Sequence, residues 1–422
     1  MKKKDQALRP MRICLVMLIL AASILNTSTS LAAEGRCKVY KTDPVLTPAP
    51  EEVILEDLDE SGYLNNQYLT FIVKAPSRYD FLPYALDGNF IYEPVRWDFN
   101  NISEEGIKFD MASTYYYLTL CRKYFESHFG FKQSTDGITI EPVYVYMFFD
   151  DLSLMDYRVP LAFSDSRDPR SQYFSLPAIF YPAPGDPYLS WAPDYYRACW
   201  VVMHEYCHIV FMRYLQNNMF TGGDNTEACF INEVLASFWP ATIMDEPRYG
   251  GTLWPTWMKE VDFSKDVKYD PAITDPELII SNRMGSLVSA LWDLREHPRI
   301  GKTNAEKIIY DAMRLVKHED ATFADFAGAC LNAKAMLPEK ARKNIKDEYI
   351  IGVFAEHNIA VKMTNDITVA DDLSIAHRVK ESADYPKGRE ESVDEKGALL
   401  KAPLYLYEVR YTNYDIRKEG GD

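Results

Sequence analysis

The chain is poor in cysteine, with seven in 422 residues. That is too few for a fold organised as a disulfide scaffold, and a chain of this length buries enough core not to need one. It also lacks positive charge. With 46 Lys and Arg against 62 Asp and Glu, and a net charge of −16, it repels phosphate backbones, which excludes a nucleic-acid partner held by electrostatics. There is no internal repeat, and beyond the N-terminus no apolar run is long enough to span a membrane. What remains is 47% hydrophobic and 26% charged, the composition of a folded globular protein.

The N-terminus reads as an address. Lys2, Lys3, Lys4, Arg9 and Arg12 precede an apolar run from Ile13 to Leu25, and small residues follow at Ser30, Ala32 and Ala33. This is the layout of a secretory signal peptide, with cleavage expected near Ala32. Residues 1–32 are therefore assigned to the signal, and the chain is expected outside the cytoplasm: periplasmic, secreted or at the cell surface. Cys14 leaves with the signal. The six cysteines that stay, Cys37, Cys121, Cys199, Cys207, Cys229 and Cys330, allow up to three disulfides. A Cys199 to Cys207 bridge is excluded, because eight residues on one helix separate them by about 12 Å.

Periodicity divides the rest. Residues 33–104 read as a β-rich region of short strands split by Pro, Gly and Asp, among them YLTFIVKAP and NFIYEPVRWDF. A helix is predicted over Met111 to Phe129 and ends at Gly130. A buried strand is predicted over Ile138 to Phe149, and another over Gln172 to Tyr181. Helices are then predicted over Tyr195 to Gln216, over Glu227 to Trp239 with a stop at Pro240, and over Asn282 to His297. Three more follow: one opening with the capping box Thr303 to Glu306, one after an N-cap at Thr322, and one from Pro338 toward Phe354. The fold class is α+β, a small mixed sheet followed by a mainly helical half over residues 105–362. Residues 363–422 are polar and charged and read as a tail or appendage.

The chemistry lies in Met203-His204-Glu205-Tyr206-Cys207-His208, an HExxH motif in an apolar helix. Residues four apart share a helix face, so the imidazoles of His204 and His208 can chelate one ion with Glu205 beside its open position. Neutral imidazole suits zinc. Val201, Val202, Met203, Ile209, Val210 and Phe211 make the helix apolar nearly all round, so its polar residues need buried partners, and a metal ion is one. A second apolar segment, Phe230 to Trp239, carries a single carboxylate at Glu233. A carboxylate there is costly unless paired or bound to metal.

HExxH followed some two dozen residues later by an Asn-Glu helix resembles the gluzincin metallopeptidases, the thermolysin-like and peptidase MA-like group. The resemblance implies a zincin-like domain over residues 105–362 in which Glu233 is the third ligand beside His204 and His208, Zn2+ is the cofactor and Glu205 is the catalytic general base. The implied activity is hydrolysis of peptide or protein substrates, more in the manner of an endopeptidase, because the Gly-x-Met-Glu-Asn signature of the large zinc aminopeptidases is absent. Substrate is expected to lie extended along a sheet edge, with residues 172–181 as the candidate edge. Oligomeric state is left open.

The chain departs from that pattern in three places. Cys207 stands where Gly is common in related HEYGH sequences. Ser237 stands where a carboxylate usually orients a histidine, so that support is expected from elsewhere. No motif marks the donor that stabilises an oxyanion, and Tyr249, Tyr269, Arg283 and His297 are its candidates. The competing reading is a non-catalytic exported adhesion or assembly protein that kept the fold. His318 and His357 are read as ordinary surface or helix-end residues.

Overall fold

The computed structural model describes residues 33–362 except 45, 74–82, 86, 98–100, 102, 150–160, 164–176, 183–196, 216–225, 250–260, 274 and 317. The expected signal peptide and C-terminal tail thus lie outside the described residues. The strands are β1 (Ala33–Val39), β2 (Glu51–Leu58), β3 (Leu69–Val73), β4 (Asn89–Phe90), β5 (Val143–Phe149), β6 (Leu161–Phe163), β7 (Ala178–Pro182), β8 (Arg248–Tyr249) and β9 (Val261–Asp262). The helices are α1 (Glu104–Phe129), α2 (Cys199–Ile209), α3 (Glu227–Met244), α4 (Pro276–Glu296), α5 (Lys302–Leu315), α6 (Phe323–Ala333), α7 (Glu339–Asn344) and α8 (Asp347–Glu356). Strands dominate the first half and helices the second, so the α+β class expected from sequence is the observed one. Among the described residues, no helix is long and apolar enough to cross a membrane.

The long helix α1 packs on one sheet, and α2 packs on another, which touches α1 through the rings of Phe71 and Tyr115. A three-stranded sheet has the order β2-β1-β4, and a four-stranded sheet the order β3-β5-β7-β6. In the latter β3, β5 and β7 are parallel and β6 runs antiparallel to β7. The β-rich segment before residue 105 therefore supplies an outer strand to the sheet that the later residues build. β7 lies between β5 and β6, so the edge expected over residues 172–181 is instead β6. Residues 172–176 of that expectation fall outside the described residues. The strand expected from Ile138 begins only at Val143, because Asp136 Oδ1 accepts from the amides of Ile138 and Thr139, at 2.8 and 2.7 Å, and turns the chain there. Ile138 is left 87% exposed.

α1 begins earlier than its apolar periodicity suggests, because Ser103 caps it and Gly130 ends it in the left-handed conformation. Its tyrosines Tyr115 and Tyr117 are fully buried core residues. Pro240 does not stop α3: the helix runs on to Met244 and ends at Asp245, with φ 51°. Pro240 costs the helix one backbone hydrogen bond. Phe238, Trp239 and Ala241 are buried around it, and that packing against α1 and α5 outweighs the loss.

The capping box expected at Thr303 is also replaced. Gly301 precedes the helix, and no side chain caps it. Glu306 turns inward instead and accepts from Arg295 Nε and Tyr124 Oη, each at 2.9 Å. Thr322 does form its capping box, with Asp325. The helix expected from Pro338 to Phe354 breaks into α7 and α8, because Ile345 leaves helical geometry to bury its side chain. All six described cysteines are buried free thiols.

Candidate metal centre

The HExxH residues fall on α2, which stays helical through a π turn at Val210–Tyr214. Every apolar residue that makes this helix hydrophobic all round is buried: Val201, Val202, Met203, Ile209, Val210 and Phe211. The helix is anchored at both ends by polar groups from other elements. At its start, Arg197 donates to Asp110 Oδ1 at 2.7 Å and to the carbonyls of Pro94 and Val95, and the Cys199 amide donates to the Thr42 carbonyl. At its end, Tyr206 Oη donates to Gln133 Oε1 at 2.7 Å. Gln133 in turn donates to the carbonyls of Tyr68 and Glu141, and Arg213 pairs with the Glu141 carboxylate.

α3 packs alongside and brings Glu233 to the two imidazoles. The Nε2 atoms of His204 and His208 are 2.9 Å apart. Glu233 places one carboxylate oxygen 3.2 Å from His204 Nε2 and the other 3.6 Å from His208 Nε2. These residues form the group suited to a metal ion among the described residues. A tetrahedral ion with bonds of about 2.0 Å spaces its donors about 3.3 Å apart, so the observed separations bracket the requirement.

The opposite ring atoms show which nitrogens face the centre. His208 Nδ1 donates to Asn232 Oδ1 at 3.0 Å, since an amide oxygen only accepts. Its Nε2 therefore presents a lone pair to the cluster. Ser237 Oγ lies 3.2 Å from His204 Nδ1. The support that sequence reading sought elsewhere comes from Ser237 itself, with a neutral hydroxyl in place of a carboxylate. The signal for Asn232 was present in the sequence as the residue before Glu233, but no periodicity distinguishes it from other buried polar residues.

Electrostatics agree with that assignment. Burial of His208 lowers its pKa to about 4, although Glu233 nearby opposes the shift, so its ring is neutral at neutral pH. Burial alone would raise Glu233, but His208 and His204 outweigh it and hold the carboxyl below its ordinary range. Two imidazole Nε2 atoms and one carboxylate thus converge in a nearly closed site. These three side chains could hold a metal ion together, and two imidazoles with one carboxylate are a set that suits a divalent ion. Glu205 lies on α2 next to His204 and is 8% exposed.

The other sequence candidates sit elsewhere. Cys207 contacts Cys121, sulfur to sulfur at 3.8 Å. Tyr269 Oη donates to Glu227 at 2.7 Å, and His297 stacks on Tyr349 and accepts from the Arg299 amide. Arg283 lies over the Phe230 ring at 5.5 Å, one helical turn before Glu233. Tyr249 belongs to β8, and its side chain lies outside the described residues. His357, read from sequence as an ordinary helix-end residue, is buried between Val267 O and Asp293, each 2.8 Å from a ring nitrogen.

A scan against protein-family models finds no match, and a search of curated proteins finds none either. Among solved structures, the chain is similar to the precursor of protealysin, a metalloproteinase from Serratia proteamaculans, at 14% identity and a TM-score of 0.41. The similarity covers 79% of this chain and 90% of that one.

Proposed function

We propose that the chain is an exported zinc-dependent peptidase of gluzincin type, with His204, His208 and Glu233 as metal ligands and Glu205 as general base. The observation that carries the reading is the convergence of two imidazoles and one carboxylate at tetrahedral spacing, on two mainly apolar helices. Zinc is the preferred ion because the set is two imidazole nitrogens and one carboxylate oxygen, the three-ligand set of a catalytic zinc site. When bound, the ion supplies Lewis acidity and a lowered pKa for water.

The chain's own residues do the rest. Asn232 holds His208, and Ser237 holds His204, each by the nitrogen turned away from the centre. Glu205 accepts a proton from the attacking water and passes it to the leaving amine nitrogen, so no covalent intermediate with the protein is required. Substrate in extended form would add to β6, the short antiparallel edge of the four-stranded sheet, which packs on α2. Export is supported by the basic, apolar and small-residue layout of the first 32 residues.

Metal analysis combined with a peptide-library assay tests the reading. Wild-type protein should hold about one zinc per chain and cleave peptides. Glu205→Gln should keep the metal and lose hydrolysis by a factor on the order of a hundred or more, and Glu233→Ala should lose most of the metal. Zinc at full occupancy with no cleavage across the library would favour the non-catalytic adhesion or assembly protein. Hydrolysis at the wild-type rate by Glu205→Gln would remove Glu205 as base.

A further inference from the structure

One pair of nucleophilic side chains takes no part in that chemistry. Cys121 on α1 and Cys207 on α2 face each other across the helix crossing, with sulfurs 3.8 Å apart and both side chains fully buried. Other cysteines are placed differently. Cys37 directs its thiol to the Ala112 carbonyl at 3.9 Å, and Cys199 shares a helix with Cys207, about 12 Å away along its axis. A bond of about 2.05 Å requires the facing sulfurs to close by less than 2 Å, within reach of side-chain rotation and a small helix shift.

We propose that Cys121 and Cys207 form a disulfide when the chain folds in an oxidising medium, stapling the HExxH helix to α1. The oxidant is a small-molecule disulfide such as oxidised glutathione. The thiolate of one cysteine attacks it, forming a mixed disulfide and releasing one reduced glutathione. The second cysteine's thiolate then attacks the protein sulfur of that mixed disulfide and releases the other. In sum the two protein thiols lose two electrons and two protons, and one glutathione disulfide becomes two thiols. Burial seals the pair in the finished fold, so the exchange belongs to folding, before α1 and α2 close over it. The resulting loop encloses β5, β6 and β7 between its ends, and it ties the helix that carries His204 and His208 to the centre of the core.

The inference rests on the sulfur contact and not on peptidase activity, so its test reads neither zinc nor cleavage. The full-length chain is refolded in a glutathione redox buffer, alkylated under denaturing conditions, digested and mapped by mass spectrometry. The expected result is one cross-linked peptide pair joining Cys121 to Cys207. Oxidised protein should also melt roughly 5 to 10 °C above the reduced form, as a long closed loop implies. Cys121→Ala and Cys207→Ala should each abolish that difference. If either variant fails to fold, the wild-type map still decides. Recovery of both residues as free thiols from cooperatively melting oxidised protein would overturn the proposal, as would a bridge from either to another cysteine.

Discussion

Ser237 Oγ stands 3.2 Å from Nδ1 of His204, and this neutral contact is what orients one of the two imidazoles at the candidate centre. Removing it frees the ring to rotate and exposes the alternative tautomer. Partners that orient a metal-bound histidine are worth about 10- to 100-fold in metal affinity. Ser237→Ala is therefore expected to weaken zinc binding by about tenfold, read by competition with a chromogenic chelator. Ser237→Asp should tighten it, because a carboxylate raises imidazole basicity. Equal affinity in all three proteins would mean that the contact orients nothing.

The Asp110 to Arg197 pair should be a main support of the approach to α2. Its side chains are each 3% exposed, and Asp110 also accepts from Trp97 Nε1 at 2.7 Å. Taking away one partner leaves a buried charge without compensation, at a cost of about 3–5 kcal/mol. Arg197→Met is expected to show this loss in chemical denaturation. A change below about 1 kcal/mol would show that solvent or other groups replace the guanidinium.

Residues 33–104 are expected to be required for folding, not removable as a pro-segment. β3 pairs with β5 over five residues, Tyr117 Oη donates to the Tyr40 carbonyl at 2.6 Å, and Thr42 and Val95 accept from the start of α2. A chain starting at residue 105 should fail to give a cooperative thermal transition by circular dichroism. A truncated chain that melts cooperatively and binds zinc would show that residues 33–104 are dispensable for the fold.

His357 should make stability fall as pH rises. Burial disfavours its charged form, but Asp293, the Val267 carbonyl and Asp266 outweigh that and raise its pKa above the ordinary value. Asp266 in turn pairs with Lys268. A group whose folded pKa is raised contributes fully below its unfolded pKa, near 6.5, and loses that contribution as pH climbs through the folded value. The difference in melting temperature between wild type and His357→Gln should therefore be largest near pH 6 and shrink toward pH 9. A difference independent of pH would assign His357 a packing role only.

The sequence by itself marked the three residues, His204, His208 and Glu233, that the fold brings together. His204 and His208 share a face because a helix repeats every 3.6 residues, and Glu233 stands out because a lone carboxylate among Phe230, Ile231, Val234 and Leu235 demands a partner. Local rules also sufficed for the N-cap at Thr322 and the C-terminal end of α1 at Gly130. They failed where burial competes with local preference. Pro240 stays helical because Phe238, Trp239 and Ala241 are packed on either side, and Glu306 leaves its expected cap for Arg295 and Tyr124. Only the tertiary structure decided that β7 is interior and β6 the edge, that Ser237 and Asn232 hold the imidazoles, and that Cys207 meets Cys121. Each of these joins residues distant in the chain, and periodicity carries no information about which face of one element meets which face of another.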